Sequence, residues 1–198
     1  MDALPIKRAL LSVTDKSGLA EFASFLVEKG VELVSTGGTR KMLQDAGLPV
    51  TPVSEVTDFP EILGGRVKTL HPNIHGGILA DKDNPEHLEV LREFNIEPFD
   101  MICVNLYNFA EAARKGLALK DAVEQIDIGG PCMLRATAKN FHSICVVPGV
   151  EHYDRIRKEI EDNGAISLAL RKELATETFS ITSKYDAMIT EYLAGHDA

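Results

Sequence analysis

Cysteine is scarce in this 198-residue sequence: only Cys103, Cys132 and Cys145 occur. An odd number at wide, irregular spacing forms neither a disulfide framework nor a zinc motif, and it fits a reducing compartment such as the cytosol. A basic balance is missing too. The formal charge is −9, which argues against a nucleic-acid surface, because phosphate backbones are held by clustered Lys and Arg. Long apolar runs are absent. The stretch from Met101 to Leu106 is far shorter than the ~20 residues of a membrane helix, and the charged N-terminal residues do not read as a signal peptide, so a cytoplasmic protein with no membrane partner is expected. No internal repeat and no low-complexity linker are seen.

What is present is enough for one core. With 198 residues, 44% of them hydrophobic, the chain suits a single domain spanning 1–198 and is short for two. Short apolar runs alternate with segments of helical period, the pattern of a mostly parallel sheet with helices on both faces, so the fold class is α/β. Strands are predicted at Ala9–Val13, Glu32–Ser35, Val50–Val53, Met101–Leu106 and Ile144–Val147. Leu19, Phe22, Ala23, Leu26 and Val27 form one helical face that stops at Gly30. A second helix is predicted from Thr39, with Met42, Leu43 and Ala46 inward, and another from Asn84–Pro85, with Leu88, Leu91 and Phe94 inward. Helices over about 151–162 and 167–193 close the chain. The glycine-rich stretch from Asp58 to Ala80 reads as an irregular loop of the kind that carries function.

Two strands run into small hydroxyl and glycine residues before a helix begins: Ser12, Thr14, Asp15 and Lys16 after the first, and Thr36, Gly37, Gly38 and Thr39 after the second. Turns of this kind present backbone N–H groups and a positive helix end, which favour a phosphate, and they lie at the carboxyl ends of parallel strands. The same residues also serve as ordinary helix caps. In Gly64–Pro72, Arg66 and Lys68 stand two apart beside Val67 and Thr69, so an extended segment would turn both cations one way. His71 and His75 are separated by Pro72 and lack the carboxylate of a helical zinc motif, so no metal is expected. Asn105 and Tyr107 fall at the carboxyl end of a strand, where an amide orients a planar ligand and a phenol donates to a carbonyl. Asp127, Ile128 and Gly129 precede a helix that carries Arg135 and Lys139.

The strings SVTDKSGL, STGGT, GGRVKTLHPNIHGGILA, NLYNF, QIDIGGPCMLRATAKN and ETFSITSKYDAMITEYL together resemble the IMP cyclohydrolase domain of the bifunctional purine biosynthesis family. The resemblance covers nearly the whole chain. It implies a methylglyoxal-synthase-like, Rossmann-type sandwich that closes 5-formamidoimidazole-4-carboxamide ribotide (FAICAR) to inosine monophosphate (IMP) and water, with no cofactor. Lys139 matches the family's proton donor, with Lys68, Tyr107 and Asp127 as companions. Nucleotide binding would fall to Ser12, Thr14 to Lys16, Thr36 to Thr39, Arg66 to Thr69, Asn105 and Asp127 to Gly129. The family's folate-dependent formyltransferase domain is missing from this sequence, so the resemblance implies either an excised domain or a free-standing cyclohydrolase served by a separate formyltransferase, and a homodimer. Asn108 and Thr137 depart from the family's usual Pro and Ala. Methylglyoxal synthase and a non-catalytic nucleotide-sensing module are the alternatives on the same fold.

Overall fold

The computed structural model of the chain describes residues 1–106, 109 and 117–196. A five-stranded sheet forms its centre, built from β2 (Arg8–Ser12), β3 (Glu32–Ser35), β4 (Thr51–Pro52), β5 (Met101–Val104) and β6 (Cys145–Val147) in the order β4-β3-β2-β5-β6. Every neighbouring pair is parallel, with Leu10 beside Val34 on one side and Ile102 on the other. A separate antiparallel ribbon joins β1 (Ala3–Leu4) to β7 (Ile166–Ser167). Leu10, Ile102 and Val146 are fully buried, and so are their chain neighbours Leu11, Met101 and Cys145. Successive strand residues point to opposite faces, so both faces of the sheet are covered.

Helices supply that cover. α1 (Leu19–Glu28) buries Leu19, Phe22, Ala23, Phe25 and Leu26, and Phe22 stacks on Tyr153 at 4.3 Å, which joins α1 to α8 (Tyr153–Asn163). α7 (Gly129–Lys139) packs on β5 and β6, and the long α9 (Leu168–Ala194) lies against α7 and β6. The short α2 (Gly37–Asp45), α3 (Val53–Thr57), α4 (Pro72–Leu79), α5 (Pro85–Glu93) and α6 (Leu119–Val123) complete the described helices.

The sequence reading needs correction at four places. The strand expected at Val50–Val53 is only Thr51–Pro52, because Val53 already opens α3. The second helix starts at Gly37 rather than Thr39, and Ala46 is its exposed C-cap. Phe94, expected inward, is 63% exposed at the end of α5, where only Leu91 is buried. The stretch 58–80 is not irregular throughout, since its second half is α4, opened by Pro72 in the first turn and by His71, whose Nδ1 accepts the Asn73 N–H at 3.2 Å. Glycine there serves packing rather than turning. A Cβ at Gly77 would lie 2.9 Å from the Glu97 carbonyl oxygen and 3.1 Å from the Phe99 ring, so only glycine lets α4 approach the segment leading into β5.

Candidate active site

From β2 the chain moves outward to β3 and β4, then returns to the other side of β2 with β5 and β6. The strand order therefore reverses between β2 and β5, and the carboxyl ends of these two strands are where such a sheet opens a crevice. A cleft of about 930 Å³ occupies that place. Five separate segments line it: the turn after β2, the turn into α2, the glycine-rich segment 63–70, Asn105 after β5, and residues 123–130 with Met133 on α7.

Each wall is fixed by identifiable bonds. Asn105 Oδ1 accepts the N–H groups of Thr14 at 2.7 Å and Asp15 at 3.0 Å, while its amide donates to the Asp15 carbonyl at 2.9 Å. The amide thus holds the turn after β2 in shape, with its polar groups spent on protein. Thr39 extends the pairing of the two turns, since its hydroxyl both accepts the Val13 N–H and donates to the Val13 carbonyl at 3.0 Å. In the glycine-rich segment Val67 and Ile62 exchange backbone bonds across a tight turn. Lys68 Nζ stands 4.0 Å from Glu61, whose carboxylate also accepts the Thr36 hydroxyl at 3.5 Å. Arg66, in helical rather than extended conformation, reaches across to Glu124 and forms a two-pronged ion pair with it.

Asp127 Oδ1 accepts the Gly130 N–H at 2.9 Å in the first turn of α7. A Cβ on Gly130 would lie 2.2 Å from Asp127 Oδ2, so the glycine is what allows a carboxylate at this place. The N-termini of α2 and α7 both border the cleft. Their open N–H groups, with Lys16, Arg66 and Lys68, make an anion the natural occupant.

The expected residues Ser12, Thr14, Lys16, Thr36, Gly37, Gly38, Thr39, Arg66, Val67, Lys68, Thr69, Asn105, Asp127, Ile128 and Gly129 all line this one cleft. Asp15 does not. Its carboxylate turns back to accept the Ser17 N–H at 2.9 Å, and the hydrogen bonds from Ser17 hold it below the usual carboxylate range. Lys139 does not line it either: it is exposed at the last residue of α7, ten residues and about 15 Å along the axis from Gly129. Tyr107 and Asn108 lie outside the described residues. Thr137, a departure from the family pattern, is buried and donates to the Met133 carbonyl at 2.7 Å.

Sequence reasoning missed Glu61, the Glu124 pairing, and the rim residues Leu63 and Val123, which with Leu70 and the expected Ile128 form a partly to largely exposed apolar edge. It also missed Tyr185, whose phenolic oxygen accepts the Asp127 N–H at 2.8 Å from α9. No local motif announces a partner 58 positions away. Among the described residues, neither His71 nor His75 belongs to a group with metal-ligating geometry.

An MGS-like domain matches residues 18–132, more than half of the chain. The chain belongs to the MGS-like family. The region 137–198 matches a second family, the AICARFT/IMPCHase bienzyme. A crystal structure of ForH superposes with a TM-score of 0.87 at 34% identity, covering 95% of this chain and 97% of that one. Among curated relatives, the bifunctional purine biosynthesis protein PurH of Listeria monocytogenes serovar 1/2a is 52% identical over 95% of this chain. PurH of Ligilactobacillus salivarius is 52% identical over 97%, and that of Fusobacterium nucleatum subsp. nucleatum is 50% identical over 96%. The chain spans 37–38% of the length of these relatives. Among the described residues no helix is long and apolar enough to cross a membrane.

Proposed function

We propose that this MGS-like chain is an IMP cyclohydrolase that closes FAICAR to IMP and water. One observation carries the reading: fifteen of the residues expected to bind such a ribotide, drawn from five separated segments, line one cleft at the switch point of the sheet. The likeness to PurH over nearly the full chain gives that cleft its substrate class.

The two reacting arms belong to one molecule, so the first task is to hold them in the reactive rotamer. The amino ends of α2 and α7, with Lys16 and Arg66, suit the phosphate and ribose and anchor one end of the ligand. The carboxamide nitrogen then attacks the formyl carbon. An amide is a weak nucleophile, so it needs a base as the bond forms, and the formyl oxygen needs donors as it gains charge. Asp127 accepts the amide proton, and Lys68 stabilises the oxyanion, assisted by Tyr107. The oxyanion takes up one proton. Then, as the C–O bond breaks, the former formamide N–H gives up its proton to form the ring C=N bond, and the departing hydroxyl needs a second proton to leave as water. Within one chain Lys68 stands closer to deliver it than Lys139, the residue matched to the family's donor. A homodimer, a cytoplasmic setting and a formyltransferase, on the same polypeptide or a separate one, belong to the same proposal.

The test is the ultraviolet absorbance change of chelator-treated protein with synthetic FAICAR, alongside Lys68→Ala, Asp127→Asn and Lys139→Ala. Closure by the wild type with a loss of about a hundredfold or more in the first two variants supports the reading. Tight IMP binding without closure would instead make the cleft a nucleotide sensor. The Lys139 variant decides which lysine delivers the last proton.

A further inference from the structure

Asp127 is held at two points, and only one of them belongs to its own helix. Its side chain is tied to α7 through the Gly130 N–H. Its main chain is tied to α9, where the Tyr185 oxygen accepts the Asp127 N–H at 2.8 Å. Residue 127 precedes the first turn of α7, so no carbonyl within that helix serves as acceptor for this N–H. Tyr185 is 4% exposed, two-thirds of the way along a 27-residue helix that packs on both α7 and β6. Phenylalanine would fill the same space, so packing alone does not explain a tyrosine here. A buried hydroxyl is costly unless it is bonded, and this one is bonded to the residue expected to act as base. Burial pushes the phenol up from its ordinary range, so it stays neutral and accepts the Asp127 N–H as a hydroxyl.

We propose that Tyr185 is a positioning residue for the ring-closing reaction: it fixes the main chain at Asp127 so that the carboxylate is presented to the cleft at one height and angle. The claim rests on the cyclohydrolase reading above. The tether has a rigid base, because α9 packs along both α7 and β6. A base displaced by even about 1 Å loses on the order of a hundredfold in rate, whereas the affinity for the distant phosphate is little affected.

The experiment compares Tyr185→Phe with Tyr153→Phe. The second removes a buried hydroxyl that meets only Cys103 among the described residues, at 3.5 Å and away from the cleft. Steady-state closure of FAICAR, IMP affinity and amide hydrogen exchange are read on both. In Tyr185→Phe, kcat is expected to fall at least about tenfold with KM within about twofold, and the Asp127 amide to exchange faster. Tyr153→Phe keeps the wild-type kcat. An unchanged kcat in Tyr185→Phe, a rise in KM alone, or an equal loss in Tyr153→Phe would overturn the proposal. Should the wild type bind IMP yet close no ring, the cyclohydrolase reading fails by itself. Exchange at Asp127 then still decides the tether, which is upheld by faster exchange in Tyr185→Phe and overturned by no change.

Discussion

Replacing Arg171 by Met separates what holds the fold from what runs the cleft. The guanidinium is fully buried on α9 and donates to Phe141 O at 2.9 Å, His142 O at 2.5 Å and Met1 O at 2.6 Å, with Asp2 O at 3.4 Å. It thereby joins the chain's first residues, the loop after α7 and α9. Bonds to a charged donor contribute about 1.5–3 kcal/mol each, so three short ones give roughly 5–9 kcal/mol. Holding the charge away from water takes back several kcal/mol, which Met avoids, and the expected net loss is about 2–4 kcal/mol. At about 2–4 °C per kcal/mol for a chain of this size, the melting point should drop by roughly 4–16 °C. Urea unfolding at 25 °C measures the free energy, with an unchanged m-value as the sign that only stability has moved. Turnover at 25 °C should stay near wild type, because Arg171 touches no residue of the cleft. A stability within about 0.5 kcal/mol of wild type would refute the reasoning, by showing that Met packing replaces the whole carbonyl clamp.

Three further outcomes follow from the structure. Glu124→Gln frees Arg66 from its carboxylate partner and removes a negative charge from the mouth of the cleft; titration calorimetry should give IMP affinity about two- to fivefold tighter, the scale of one exposed ion pair, and unchanged or weaker binding would show that the pair does not compete with the ligand. Native protein at pH 8 should expose a single thiol to an aromatic disulfide reagent, because burial pushes Cys103 and Cys145 up to about 12 while Cys132 is half-buried; all three should react in denaturant. Asp15, bonded by Ser17, and Glu173, bonded by Arg155, sit below their ordinary values of 3.8 and 4.5 in the fold. The folded chain then binds fewer protons than the unfolded one, so their contribution is present above that range and lost as pH falls through it, and melting points measured from pH 7 to 3 should decline below about pH 5.

The sheet was legible because its strands are buried on both faces and so read as continuous apolar runs, bounded by the glycines that stop α1 and α2. What hid α4 was the same residue type read at the wrong level. Gly76 and Gly77 look like turn formers along the chain, yet Gly77 is required by the Glu97 carbonyl 2.9 Å from its missing Cβ, a contact of tertiary origin. Phe94 was misread for the opposite reason. It keeps the helical period of Leu91, but α5 ends at Glu93 and the chain turns away before any neighbour covers the ring. Periodicity reports which face a helix offers, and only the packing partner decides how far along that face remains covered.

The candidate site was legible to the extent that its residues stand in short turns at strand ends, where local chemistry and final position coincide. Asp15 shows the limit of that rule, because an aspartate two residues before a serine finds a partner in its own turn and faces away from the cleft. Lys139 shows a second limit. It shares a contiguous sequence string with Asp127, yet a helix converts twelve positions of sequence into separation rather than proximity, and α7 carries the lysine to the other end of the sheet layer. Tyr185 is the converse case, remote in sequence and adjacent in space. The groups that set the geometry of Asp127 are therefore Gly130, three positions on, and a tyrosine on the last helix, and the cleft depends on α9 as directly as on the turns that form its walls.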